Sequence, residues 1–149
     1  MDPDPAIAAA LEPLAAATAA DAEALNEECT RLFRGVTPFS PDPPYESLYR
    51  DGSLQGPSAE SVLATYREAG VTVAPETGEL ADHLGLELHF LGMLYERGDA
   101  AEAEAFLEAH PRRWFEDFAE SIRAEDPVPF YTGLLDLTAL ALQTEGPDR

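Results

Sequence analysis

Between Glu79 and Arg97 apolar residues return every three or four positions: Leu80, Leu84, Leu88, Leu91 and Tyr95 form one stripe, and Leu86, Phe90 and Leu94 broaden it. A repeat near 3.6 residues is the mark of an α-helix, and a stripe this wide predicts one buried on most sides. The same period runs through Leu25, Cys29, Leu32 and Phe33, through Val62, Leu63, Tyr66 and Ala69, through Trp114, Phe115, Phe118 and Ile122, and through Phe130, Leu134, Leu137, Leu140 and Ala141. Val71-Thr72-Val73 is the one strand-like triplet, too short to argue a sheet. A single-domain, all-α bundle of about seven helices follows.

The breaks between stripes are legible as well. Gly35, Gly70 and Gly98 stand where helices should stop. Four prolines fall within Pro38–Pro44 and enforce an extended loop. Ser58 after Pro57 reads as an N-cap, and Asp99 with Glu102 reads as a capping box for a helix ending near His110-Pro111. Residues 1–20 read as a weak Ala-rich helix with little to pack, and 143–149 as a polar tail.

Charge narrows the function classes. The chain of 149 residues carries 29 acidic and 9 basic side chains, a formal net charge of −20, which excludes a nucleic-acid binder working through its own basic surface. All nine basic residues are Arg, and Ala contributes 25 positions. This bias predicts a GC-rich, halophilic source, since molar salt screens self-repulsion to within about 3 Å. The start Met1-Asp2-Pro3-Asp4-Pro5 lacks the positive charge of a secretory signal, and no uncharged apolar run spans a membrane, so a cytoplasmic protein without stable membrane insertion is expected.

Catalytic and metal chemistry find little support. His83 and Glu87 share a helix face four residues apart, but His89 points about 120° away, leaving two ligands at most where zinc needs three or four. Cys29 lies on an apolar stripe and reads as packing. There is no nucleophile elbow, and without Lys a phosphate-binding P-loop cannot form. The expectation is a non-enzyme with no metal and no cofactor. What remains unusual is Asp82-His83 and Glu87 at the start of an apolar helix, and aromatics beside prolines at Tyr45, Tyr49, Phe130 and Tyr131. Asp82 and Glu79 can complement the helix N-terminus while His83 caps a loop, or they can floor a polar pocket for a cationic ligand.

These residues resemble a known family. Pro43-Pro44-Tyr45-Glu46-Ser47-Leu48-Tyr49 is similar to the proline–aromatic–Ser–aromatic loop of the TorD/DmsD redox-enzyme maturation chaperones. Glu79 to Leu91 resembles that family's Glu-x-Pro-Asp-His-Leu-x-x-Glu-Leu signature, with Ala81 in place of Pro. Phe106-Leu107 with Trp114 and Phe118, and Pro129-Phe130-Tyr131, resemble its later landmarks.

The resemblance implies a TorD/DmsD-like fold with a shortened N-terminal part, either trimmed or covered by a partner subunit; an uncovered apolar face would favour a homodimer. It implies a cytoplasmic chaperone, which the acidic composition would make haloarchaeal, that binds the twin-arginine signal peptide and precursor of a molybdopterin oxidoreductase catalytic subunit, of the dimethyl sulfoxide or trimethylamine N-oxide reductase type, and assists cofactor insertion before export. The alternatives are a nitrate-reductase-type assembly chaperone acting on the mature catalytic subunit, and an acidic helical scaffold. The peptide-binding positions it implies are Tyr45, Ser47, Tyr49, Glu79, Asp82, His83, Leu86, Glu87, Phe130 and Tyr131. Asp82, Glu79 and Glu87 would accept from guanidinium groups, and Tyr45, Tyr49, Leu86 and Phe130 would supply walls and a cation–π face.

Overall fold

The computed structural model describes residues 4–143; the expected polar tail lies outside them from Thr144 onward. Among the described residues eight α-helices follow one another: α1 Pro5–Ala16, α2 Ala22–Phe33, α3 Glu46–Asp51, α4 Pro57–Glu68, α5 Leu84–Glu96, α6 Ala100–Ala109, α7 Pro111–Arg123 and α8 Pro129–Gln143. The expected all-α class holds. The added helix is α3, a six-residue turn inside what read as a loop. Val71–Val73 forms no strand, and the one β-bridge among the described residues is an isolated antiparallel pairing of Tyr45 with His83. No helix among the described residues is long and apolar enough to cross a membrane.

Contacts sort the chain into two compact units. Of the described residues, the first takes 4–43 and 117–143; the second takes Pro44–Glu116. In the first unit, α1 lies along α8, against the expectation that the Ala-rich helix has little to pack. Its Ala10 is buried, and a Cβ at Gly133 would stand 2.6 Å from both the Ala10 carbonyl oxygen and Pro13 Cγ. Small residues on both sides thus replace bulky ones with close backbone approach. Leu32 is buried, and Phe33 of α2 packs on Phe118 and Tyr131 with ring centroids 6.0 and 5.4 Å apart.

In the second unit, the core is the aromatic trio Tyr66, Phe90 and Phe106, with Tyr66–Phe90 and Phe90–Phe106 centroids at 4.6 and 4.8 Å. Val62, Leu107, Trp114 and Phe115 complete it, all nearly inaccessible.

Helix starts depart from expectation in instructive ways. The predicted helix from Glu79 begins instead at Leu84, because His83 is its N-cap, with extended backbone and Nδ1 accepting from Gly85 N–H at 3.0 Å. Residues 79–83 are therefore loop, and His83 and Glu87 do not share a helix face. Gly56 rather than Ser58 caps α4; the Ser58 N–H and hydroxyl both donate to Asp51 at 2.9 Å, so a carboxylate from α3 caps α4 from outside. Asp99 does occupy an N-cap, but its side chain makes no capping bond and the box does not form.

Candidate functional site

The two segments singled out by their composition meet in the second unit. The Tyr45–His83 bridge is made by Glu46 N–H donating to the Asp82 carbonyl at 3.1 Å and Leu84 N–H donating to the Pro44 carbonyl at 2.9 Å. Asp82 adds a side-chain tie: its Oδ2 accepts from Ser47 N–H at 2.8 Å and so caps the first turn of α3. Ala81, next in line, accepts from the Tyr66 hydroxyl at 2.8 Å. Loop 79–83 is thereby fixed between α3 and α4.

The rim of this junction is aromatic and acidic. Tyr45 donates its hydroxyl to Glu79 Oε2, and the Tyr45 ring meets the His83 ring edge-on at 5.2 Å. His83 Nε2 lies 3.9 Å from Glu79, and these two side chains are 26% and 28% exposed, enough to meet a ligand. Beside them opens a cleft of about 480 Å³, lined by Ala59, Leu63, Val73 and Leu80 together with the acidic Glu60, Glu79 and Asp82. A second cleft of about 540 Å³, lined among others by Val71, Leu86, His89 and Met93, flanks the same 71–74 segment. Gln55 also lines the first cleft; its φ of 60° is one of two positive values at non-glycine residues among those described, and its N–H is held by Ser47 Oγ at 3.2 Å.

Beneath the rim lies a buried polar cluster. Glu46 is fully buried and accepts from His110 Nδ1 at 3.0 and 3.1 Å and from the Arg50 guanidinium. Glu87, also fully buried, accepts from the Trp114 indole N–H at 3.1 Å through Oε1, and Tyr49 stacks on Trp114 at 5.6 Å. Burial pushes the Glu87 carboxyl well above the ordinary range, and the neighbouring Glu46 and Asp82 push the same way. For Glu46, burial also pushes upward, but hydrogen bonds from His110, Glu87 and Arg50 outweigh it and hold the group below the ordinary value.

The expected site residues thus divide. Tyr45, Tyr49, Glu79, His83 and Leu86 surround the junction, and all five are partly exposed. Ser47, Asp82 and Glu87 are buried, and Glu87 accepts from the Trp114 indole rather than facing solvent. Phe130 and Tyr131 belong to the first unit: Phe130 lines a small cleft with Pro13 and Leu25, and buried Tyr131 donates its hydroxyl to the Leu25 carbonyl at 2.7 Å. The sequence reading missed Glu46, Arg50, His110 and Trp114 as a set. The Glu46/Arg50 spacing of four was available, but the 64 residues to His110 carried no signal. No group of three or more His, Cys, Asp or Glu able to hold a metal occurs among the described residues.

Comparison with known proteins bears on this arrangement. Residues 2–120 match a family model described as nitrate reductase delta subunit. The chaperone protein TorD of Photobacterium profundum is 30% identical over 122 residues, covering 73% of this chain and 56% of the relative. TorD of a Vibrio vulnificus strain is 33% identical over 107 residues, covering 63% and 50%. The chain spans about half the length of these curated relatives. An Archaeoglobus fulgidus crystal structure, described in terms of redox enzyme maturation, superposes with a TM-score of 0.63 at 23% identity over 95% of this chain and 96% of that one, which supports the fold.

Proposed function

The chain belongs to the nitrate reductase delta subunit family, which the TorD relatives mark as one of chaperones rather than enzymes, and on that premise we propose that it is a cytoplasmic maturation chaperone that binds the twin-arginine signal peptide of a molybdopterin oxidoreductase precursor. The observation that carries the reading is the rim itself: a partly exposed carboxylate, Glu79, held beside Tyr45 and His83 and lining a largely apolar cleft. A peptide with paired arginines followed by an apolar stretch needs those two surfaces side by side. The Glu79 carboxylate takes a guanidinium fork, the Tyr45 ring offers a cation–π face, and Ala59, Leu63, Val73 and Leu80 take the apolar residues. Asp82 acts from below, holding Ser47 and the bridge that sets the Tyr45–His83 spacing.

Net charge of −20 steers a basic peptide inward at low ionic strength. Under the high-salt conditions proposed for its source that steering is screened, and the short contacts carry the specificity. The test is calorimetric titration in molar potassium chloride with a twin-arginine signal peptide and its twin-lysine counterpart. Binding that is lost with lysine and weakened by Glu79→Gln supports the site; equal binding of both peptides removes it. A second reading, action on a mature nitrate-reductase-type catalytic subunit, draws on the family description over residues 2–120. It predicts binding of the folded subunit with the signal peptide removed.

A further inference from the structure

Val71-Thr72-Val73, the strand-like triplet that joins no strand, is tied down on both sides and bonded to nothing in between. The chain leaves α4 through Gly70 at a φ of +74°, and Val71 N–H donates to the Tyr66 carbonyl at 2.8 Å. Beyond the triplet Ala74 is extended, with φ −66° and ψ 130°, and its carbonyl accepts from Thr77 N–H at 3.1 Å. From Val71 to Ala74 the chain is neither helical, turned nor bent, and the main-chain N–H and C=O groups of Thr72 and Val73 make no hydrogen bond to a described residue. Val71 and Val73 are half-buried while Thr72 and Ala74 are exposed, the alternation of a strand lying on a core. Val and Thr favour that conformation. The segment is therefore a strand edge without a neighbour, and such an edge is a template for an added strand.

We propose that the peptide ligand binds in extended form, as a strand added along residues 71–74 through main-chain hydrogen bonds, with its protein-facing side chains taken up by the clefts that this segment lines. The inference rests on the reading of the rim as a twin-arginine peptide site and specifies how that peptide is held. Val73 and Ala74 line both clefts, so a strand laid along them has access to each. No Lys or Arg lines either one; Glu60, Glu79 and Asp82 line the first, and Leu86 and Met93 the second. The occupant that fits is cationic and apolar together. A second copy of this chain, pairing edge to edge, would bring the same carboxylates and its own net charge of −20 against this edge. Side chains of a strand alternate between its faces, so of two consecutive arginines one faces Glu79 and the other points away. The main chain then supplies sequence-independent affinity, and the clefts choose among peptides at every second residue.

The test is amide hydrogen exchange of the full chain, read by NMR in molar potassium chloride with and without a twin-arginine signal peptide. Successive residues of a strand point their N–H groups to opposite edges, so pairing slows exchange at Thr72 or at Val73 and leaves the other fast. A peptide that binds while both amides stay fast, or while both slow alike, overturns the added strand and leaves the reading of the rim standing. A peptide that does not bind removes both. Slowing of one amide in the peptide-free chain that grows with protein concentration assigns the edge to a second copy and overturns the proposal. Peptides N-methylated at one amide at a time give a second readout. Methylation at a bonded amide should weaken binding about tenfold, and at its neighbours should leave it unchanged, so that sensitivity returns every second residue. Sensitivity in an unbroken run, or returning every third or fourth residue, marks a helical ligand and overturns the strand. Changing the two arginines to lysine singly should give unequal losses; equal losses contradict the alternation.

Discussion

Where α1 meets α8, contact is made by taking side chains away: Gly133 lets the Ala10 carbonyl and Pro13 ring approach within the space a Cβ would need. Where α3 meets α5, contact is made by polar groups set inside the core, with Glu46, Glu87, Asp82 and His110 all buried. The first kind of joint depends on shape and is indifferent to pH. The second depends on which groups carry protons, and each of its members costs several kcal/mol if stranded. The candidate rim stands on the second kind, so its geometry is tied to solution conditions in a way that the α1–α8 joint is not.

Removing material from the polar joint has the largest effect. Trp114→Ala opens a cavity and strands Glu87 Oε1, and denaturant unfolding should show a loss of about 3–5 kcal/mol; a loss under about 1 kcal/mol would mean that Trp114 does not organise this joint. Adding material to the shape-dependent joint comes next. Gly133→Val drives methyls against a backbone carbonyl and should cost about 1–3 kcal/mol with no change of pH slope. Asp82→Ala removes the external cap of α3 and should cost about 1–2 kcal/mol, while Asp82→Asn, which keeps an acceptor for Ser47 N–H, should recover most of it. If both variants lose the same, the capping bond is not what holds the segment.

The two units also differ in the sign of their pH response. In the first unit the Arg31 bond, joined by Val128 N–H, holds Glu28 below its usual 4.5 against the opposing effect of burial. A depressed carboxyl contributes stability above the unfolded value that is lost as pH falls through the folded one, so Glu28→Gln should cost under about 1 kcal/mol at neutral pH and nothing at strongly acid pH. In the second unit Glu87 is raised, so its contribution is full below 4.5 and declines as pH rises. Stability curves of Glu28→Gln and Glu87→Gln that bend in the same direction would erase the contrast. Smallest of all, Phe39→Ser at a ring 92% exposed should leave stability within about 0.5 kcal/mol.

Much of this architecture is legible without coordinates. Periodicity located the long helices, and Gly35, Gly70 and Gly98 end them with positive φ, as their lack of a side chain permits. Tyr45, Glu79 and His83 could be singled out as unusual because aromatic and acidic residues beside prolines and helix starts depart from a plain apolar pattern. Three things could not be read. Helix α3 is six residues long and is held by Asp82, 35 positions away from Ser47, so its local signal is weak. The start of α5 moved from Glu79 to Leu84 because His83 N–H and its neighbours are satisfied by loop and bridge bonds rather than by a further helical turn. The packing of α1 rests on a glycine 123 positions from Ala10, a contact that propensity does not carry.

The sequence by itself determined where the long helices lie, that the chain is strongly acidic, and which residue types are available for a cationic, partly apolar ligand, because those follow from local periodicity and composition. Only the tertiary structure decided that Glu79 is partly exposed while Glu87, on an equally polar-looking position, is buried against Trp114. Burial is a property of what packs against a side chain, and for Glu87 the partner comes from α7, which its own neighbours in the chain do not specify.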